Sequence, residues 1–457
     1  MNSFAALLIT LSCLSPSIGV FIVGSDVIRQ AGTGVFVCFA AAAVLGVGMA
    51  CVYGELGSAF PVTGAEYTMF GRVLGPAWGV AILTVQLLGF SVAQSMSGLG
   101  AATYLGAVAP GLPPVPTALV LVVAVTGLGV LNIRINALVT GAFLAVELAA
   151  LVFVGAIGLL YPHRALLAAA AHPVVAGPGG VLHPASLLVV GAAASGGIYA
   201  FNGYGSVVLL GEELHQAASR IVRVVFLALG VAALTELVPV ASILMGAPDL
   251  KEVLAAPAPI AAFVALTAGP TASKVLSLAV ALAIFNAMIA VALMGGRQLY
   301  ASGRDHLWPT RFSRALTRLH PRFGSPYVAT FVLGAVALLA CFVDQRILIL
   351  VLGNGNVALY VGLCLAVIFG RANGTTAHAA FKTPWHPLVP GLSLLALGGV
   401  VWFDLQDQAG MEGLLATLLA MAAGFAYYML VLRRRPAFSY RVPGLDGDAR
   451  EEPQPVS

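Results

Sequence analysis

The sequence predicts an all-α membrane protein. Twelve transmembrane helices are expected, as a five-plus-five inverted repeat with broken helices 1 and 6 and two extra C-terminal helices. Three observations carry this. Of 457 residues, 60% are hydrophobic and only 9% charged, with a mean hydropathy of +0.98, whereas a soluble domain carries roughly 25% charged residues. Apolar runs of about 20 residues, the length that crosses a bilayer core, recur between Pro, Gly and charge clusters. Two of these runs, at matching places in the two halves, contain helix-breaking residues.

Taken in order, the spans fall near 4–27, 33–57, 77–108, 115–133, 137–161, 185–210, 221–246, 274–300, 327–343, 347–370, 388–404 and 411–432. Residues 1–161 form the first repeat, 185–370 the second, and 388–432 the two added helices. The segment from Pro436 to Ser457 turns polar and is read as a disordered cytoplasmic tail. The N-terminus lacks the basic region and cleavage site of a signal peptide, so the first span is expected to be retained.

Charge placement predicts orientation. With both termini in the cytoplasm, 17 of the 22 Lys and Arg lie inside, leaving Arg29, Arg164, Lys251, Lys274 and Arg346 outside. The inner loop after span 8 holds Arg304, Arg311, Arg314, Arg318 and Arg322, and the tail holds Arg433, Arg434 and Arg435. A bacterial inner (plasma) membrane is the expected location. The net charge of +4 does not indicate nucleic acid.

Cys13, Cys38, Cys51, Cys341 and Cys364 all fall in apolar stretches, as small buried residues do, and show neither metal spacing nor loop pairing. His163, His172 and His183 lie in one outer loop at spacings of nine and eleven, which fit no compact metal site. No phosphate loop, dinucleotide fingerprint or nucleophile elbow is visible. No cluster of nucleophile, base and orienting group converges near one interface, so an enzyme is not expected. No cofactor is implied.

The breaks carry the functional reading. Span 1 contains Ser15-Pro16-Ser17-Ile18-Gly19. Proline removes a backbone donor and clashes with the preceding turn, and glycine loosens the turn that follows. Span 6 contains Ser195-Gly196-Gly197 and then Phe201-Asn202-Gly203-Tyr204-Gly205. In lipid, freed backbone groups persist only where protein, water or ligand satisfies them. Paired interruptions in two halves point to a secondary-transporter site. Close helix packing is the plainer explanation of such glycines.

Three separated motifs stand in order along the chain. Span 2 ends in Tyr53-Gly54-Glu55-Leu56, followed by Phe60-Pro61-Val62-Thr63-Gly64-Ala65-Glu66-Tyr67 and Leu74-Gly75-Pro76. Span 6 carries Ala200-Phe201-Asn202-Gly203-Tyr204 and then Glu212-Glu213. After span 8 come Arg297-Gln298-Leu299-Tyr300-Ala301, Arg304-Asp305, Pro309, His320-Pro321-Arg322-Phe323-Gly324 and Ser325-Pro326-Tyr327. Together they resemble the signature of the amino acid–polyamine–organocation superfamily of permeases, with two departures. The family's Gly-Ser-Gly appears as Ser17-Ile18-Gly19, and its Lys-Asn-Pro after the acidic pair as Leu214-His215-Gln216-Ala217.

The resemblance implies that the breaks clasp the α-carboxylate and α-amine of a substrate. Broken helix ends can hold both groups, N–H towards the anion and C=O towards the cation. Ser17, Ile18, Gly19, Phe201, Asn202 and Gly203 are the expected substrate residues, with Phe201 as a gate over the ligand. Ile18 argues for a small ligand. No acidic side chain is expected beside the pocket, which argues against a dicationic polyamine.

Two ionisable residues fall well inside predicted spans, Glu147 in span 5 and Glu236 in span 7. A charge at the bilayer centre costs at least ~2.5 kcal/mol, so each is a functional candidate, and burial disfavours the ionised form of a carboxyl. Some proton-coupled relatives carry a lysine where Glu147 aligns, so Glu147 is the candidate for binding a proton or Na⁺. It could instead donate as a neutral acid to a span 1 carbonyl. Glu236, one turn before Pro239, could simply satisfy the carbonyl that proline leaves free. Asn286, in span 8, is a second candidate near the ion site, while Asn354 and Asn356 could line the pathway.

The expected activity is import of a neutral amino acid or related amine by alternating access, coupled to protons. Obligate exchange, sodium symport and a non-transporting receptor are the alternatives. Beyond that solute, the expected partners are membrane lipids. Uniform Leu, Val and Ala faces give no oligomeric state.

Overall fold

A computed structural model describes residues 3–435 apart from 63, 132 and 178–179, with no side-chain description over 133–140. The polar tail from Pro436 to Ser457 lies outside the described residues. In chain order the helices are α1 (Ser3–Leu14), α2 (Ser25–Ala31), α3 (Val35–Ala59), α4 (Ala65–Val73), α5 (Pro76–Val108), α6 (Pro114–Leu128) and α7 (Ile133–Leu160). Then come α8 (Leu166–Ala171), α9 (Leu187–Ala192), α10 (Ala194–Ala200), α11 (Ala217–Gly246), α12 (Leu250–Ala255), α13 (Pro259–Ala268) and α14 (Pro270–Arg304). The last five are α15 (Thr310–Leu316), α16 (Tyr327–Ala340), α17 (Gln345–Ala372), α18 (Leu388–Asp404) and α19 (Gln408–Leu430).

The predicted spans coincide with helices to within a few residues. The connectors differ more. The link between the second and third spans contains α4, and the loop after α11 contains α12 and α13. The outer loop 162–184 holds α8 and a hairpin, β1 (Val174–Ala176) against β2 (Leu182–Pro184), with Val175 opposite His183. That hairpin is fastened to the turn after α2, where the Thr33 hydroxyl donates to Ala169 O and accepts from Val174 N–H.

Helix starts follow local chemistry. Proline opens α5, α6, α13 and α14, where a missing N–H costs nothing. Asp344 and Asp407 cap α17 and α19 by accepting from Arg346 N–H and Gly410 N–H.

The outside of the bundle identifies its solvent. Val44, Val120, Val152, Leu234, Val275, Leu395 and Leu419 are all exposed on helix faces, while Glu55, Glu66, Glu147, Glu236 and Asp404 are buried. Apolar outside and polar inside is the arrangement lipid requires. Eight helical runs among the described residues are long and apolar enough to cross a membrane, and Pro114–Leu128, Tyr327–Ala340 and Leu388–Asp404 are shorter apolar helices. The chain is an all-α, multi-pass membrane protein. Glycine sets the closest approach inside the bundle: a Cβ on Gly158 of α7 or Gly246 of α11 would run into the other helix.

Candidate substrate and coupling site

The first break is built around Ser15, held in a left-handed conformation at φ 45°. There α1 stops, and the chain resumes as a wide helix over Ile18–Gly24, with Ser17 at its start. The resumed helix has few N–H groups left over. Ile18 N–H and Gly19 N–H both donate to Ser15 O, at 2.9 and 3.2 Å. Ser17 N–H donates to Glu147 Oε1 at 2.7 Å, and the Ser15 hydroxyl donates to the same oxygen at 3.0 Å. Glu147, on α7, is 1% exposed. Its Oε1 thus accepts from span 1 at a helix N-terminus, a place that favours a carboxylate.

Glu236, on α11, is fully buried and reaches the same break. A Cβ on Gly19 would sit 2.7 Å from Glu236 Oε1 and 3.1 Å from Ala200 O. Gly19 is thus the gap through which a carboxyl of α11 meets both interrupted spans. Neither Glu236 oxygen has a hydrogen-bond partner among the described residues, so it does not satisfy the carbonyl freed by Pro239. Glu147 and Glu236 thus approach the same break from two helices, at Ser17 and at Gly19. Asn286, on α14, is 1% exposed, and both its amide atoms are unpartnered among the described residues.

The second break follows α10. Gly203 takes φ 117°, and the chain continues as a tight helix over Tyr204–Glu213. A side chain is excluded at Gly203, where a Cβ would lie 2.5 Å from Leu14 Cα. The two breaks therefore touch backbone to backbone. Phe201 does not cover the space between them: it is buried edge-on against Phe39 of α3, with ring centroids 5.9 Å apart.

A cavity of about 140 Å³ opens beside the touching breaks. Of the six expected substrate residues, Ile18, Asn202 and Gly203 line it, while Ser17, Gly19 and Phe201 do not. Glu147, Glu236 and Asn286 also stay out of the lining. Asn356 of α17 belongs to it, as does Cys13.

One lining residue corrects the expectation that the pocket lacks an acid. Glu66, on α4, is 5% exposed and faces the cavity. Tyr53 OH donates to its Oε1 at 3.1 Å and Gln86 Nε2 to its Oε2 at 3.0 Å. Gln86 in turn accepts from Gln298 Nε2 at 2.7 Å. Sequence reasoning missed Glu66 because residues 58–76 read as a connector, where a carboxylate is ordinarily solvated. The usable signal was its place beside Tyr67, within the segment quoted for the resemblance.

The separated motifs meet at the end of the bundle that carries α15. Glu213 pairs with Arg297 at 2.9 Å and Glu212 with Arg304 at 3.3 Å. Tyr67 OH donates to Asp305 at 2.7 Å. Buried Glu55 accepts from Arg371 Nε and Nη2, each at 2.8 Å, and from Thr383 N–H at 2.8 Å. Thr63, within the same segment, lies outside the described residues.

A family model described as amino acid permease matches residues 2–403. The chain belongs to that family. Among similar proteins, a branched-chain amino acid permease, BcaP, of Bacillus subtilis is 25% identical over 82% of this chain and 82% of its own. An uncharacterized transporter of Mycobacterium tuberculosis is 31% identical over 72% of this chain and 70% of its own. The low-affinity putrescine importer PlaP of Escherichia coli is 23% identical over 85% of this chain and 84% of its own. As an amino acid permease, the chain is a membrane transport protein for a small molecule, not an enzyme.

Proposed function

We propose that this permease is a secondary active importer of a neutral amino acid or related amine, working by alternating access and coupled to protons. The reading rests on one observation above all: a cavity lined by Ile18 from one break and by Asn202 and Gly203 from the other. The fold proposed around it has twelve spanning helices in a five-plus-five inverted repeat, with both termini in the cytoplasm of a bacterial inner membrane. Among the relatives, one is named for branched-chain amino acids and another for putrescine, which supports either solute type.

Glu147 is the proposed coupling group. Ionised, it holds Ser17 N–H and the Ser15 hydroxyl, and a hydrogen bond to a charged group is worth about 1.5–3 kcal/mol. Protonation weakens that hold and loosens the first break. Glu236 beside it favours sharing a single negative charge between the two acids. The same geometry supports a second reading, in which Glu147 only caps the helix and the protein is an obligate exchanger.

Purified protein in liposomes separates these. Uptake of an amino acid and amine panel should rise when the lumen is made alkaline and persist when choline replaces Na⁺. Uptake that requires solute on the opposite side, and ignores the pH gradient, would assign exchange instead. Uptake that vanishes in choline would assign Na⁺.

A further inference from the structure

We infer that Glu66 is a subsite for an ammonium group and that the solute is an organic amine cation needing no carboxylate of its own. This rests on the permease reading and narrows its solute class. Two independent sets of contacts support it.

The first concerns the negative end of a possible solute. Where a solute carboxylate would dock at the first break, the protein has put its own: Ser17 N–H is taken by Glu147, and the next two N–H groups by Ser15 O. Among the described residues, no Lys, Arg or His lines the cavity. A carboxylate entering this space would meet no cation in the described lining, and the N–H groups of Ser17, Ile18 and Gly19 are already taken.

The second concerns the positive end. Among the described residues, Glu66 is the sole carboxylate of the lining, and it is nearly inaccessible to water. Its two hydrogen bonds come from neutral donors, the Tyr53 hydroxyl and the Gln86 amide. These orient the carboxylate but leave its charge without a partner cation in the cavity, and a buried charge is tolerated when paired. A primary ammonium supplies that pairing. Tyr53, whose hydroxyl orients Glu66, is itself part of the lining. Asn202 and Gly203, also in the lining, are uncharged and accept an alkyl chain or a second, more weakly held polar group.

The experiment uses solutes that differ in one group. Leucine and 3-methylbutylamine share a side chain and an amine but differ in the carboxylate, and 1,4-diaminobutane adds a second cation. Binding by thermal shift and uptake into liposomes are measured for the full-length wild type, Glu66→Gln and Tyr53→Phe. Both amines are expected to stabilise and enter the wild type, and leucine to do neither. Glu66→Gln should weaken amine binding at least tenfold, and Tyr53→Phe two- to tenfold. The second variant keeps the test alive should Glu66→Gln fail to fold.

Leucine uptake that survives Glu66→Gln would overturn the inference while leaving the permease reading intact. Amine binding that is unchanged in Glu66→Gln, with only the response to pH lost, would likewise overturn it and make Glu66 a proton site. If the wild type moves no member of a broad panel, the permease reading itself fails, and the inference with it.

Discussion

At the residue scale, Glu147 and Cys13 carry the sharpest expectations. Glu147→Gln keeps an acceptor for Ser17 N–H but removes the group that titrates. The protein should fold, and solute exchange should persist, while uptake driven by a pH gradient falls at least tenfold. Glu147→Ala is different, because it strands a buried N–H and a buried hydroxyl of the first break. A cost of about 1–3 kcal/mol for an unsatisfied buried group predicts a lower melting temperature as well as lost uptake. Equal pH-driven uptake in Glu147→Gln and wild type would leave Glu147 a structural cap. Cys13 tests the cavity directly. It lines that space, whereas Cys38, Cys51, Cys341 and Cys364 are buried. A small thiol-reactive methanethiosulfonate should therefore inhibit uptake through Cys13, with saturating solute slowing inhibition several-fold. Cys13→Ser should abolish the effect.

At the scale of elements, the two breaks are constrained by how closely they approach. Gly203→Ala places a Cβ against the Leu14 backbone and demands φ 117° of a residue that resists it. Strain of this kind costs of order 1–3 kcal/mol, and it falls where the two interrupted spans touch. The expected result is a lower melting temperature with uptake reduced at least tenfold. Gly230→Ala, at an exposed position of α11 with nothing near its would-be Cβ, is the control and should leave both unchanged or raise stability slightly. Elements were largely legible in the sequence, because hydrophobic length and the Pro and Gly punctuation act locally. The breaks at Ser15–Gly19 and Phe201–Gly203 were visible for the same reason. What each break faces was not. Phe201 turning to Phe39, α4 tucking Glu66 under the cavity, and Glu147 reaching Ser17 across 130 positions of sequence are all products of long-range packing. Local pattern marks the interruption, while tertiary contact decides which side chain fills it.

At the scale of the whole molecule, the two ends of the bundle differ in how they are tied. The end carrying α15 concentrates the Glu213–Arg297 and Glu212–Arg304 pairs, both joining the segment just after the second break to α14. Alternating access requires such ties to open once per cycle. Glu213 is nearly half exposed, so its pair is worth about 0.2–1 kcal/mol. That is too little to hold the fold together but enough to move a two-state population. Since 1.4 kcal/mol is tenfold at 25 °C, Glu213→Gln should favour the state open at this end by up to about fivefold, with little change in melting temperature. In the proposed orientation this end faces the inside of the cell. A membrane-impermeant thiol reagent should therefore reach Cys13 faster in inside-out vesicles of Glu213→Gln than of wild type, by that factor. Right-side-out vesicles should show the opposite change. Reversing the pair, with Glu213→Arg and Arg297→Glu together, should return the labelling rate towards wild type. Acceleration from the outer face instead would mean either that the pair does not close this end or that the charge-based orientation is inverted. A C-terminal fluorescent-protein fusion, bright only when its barrel folds in the cytoplasm, distinguishes those two failures.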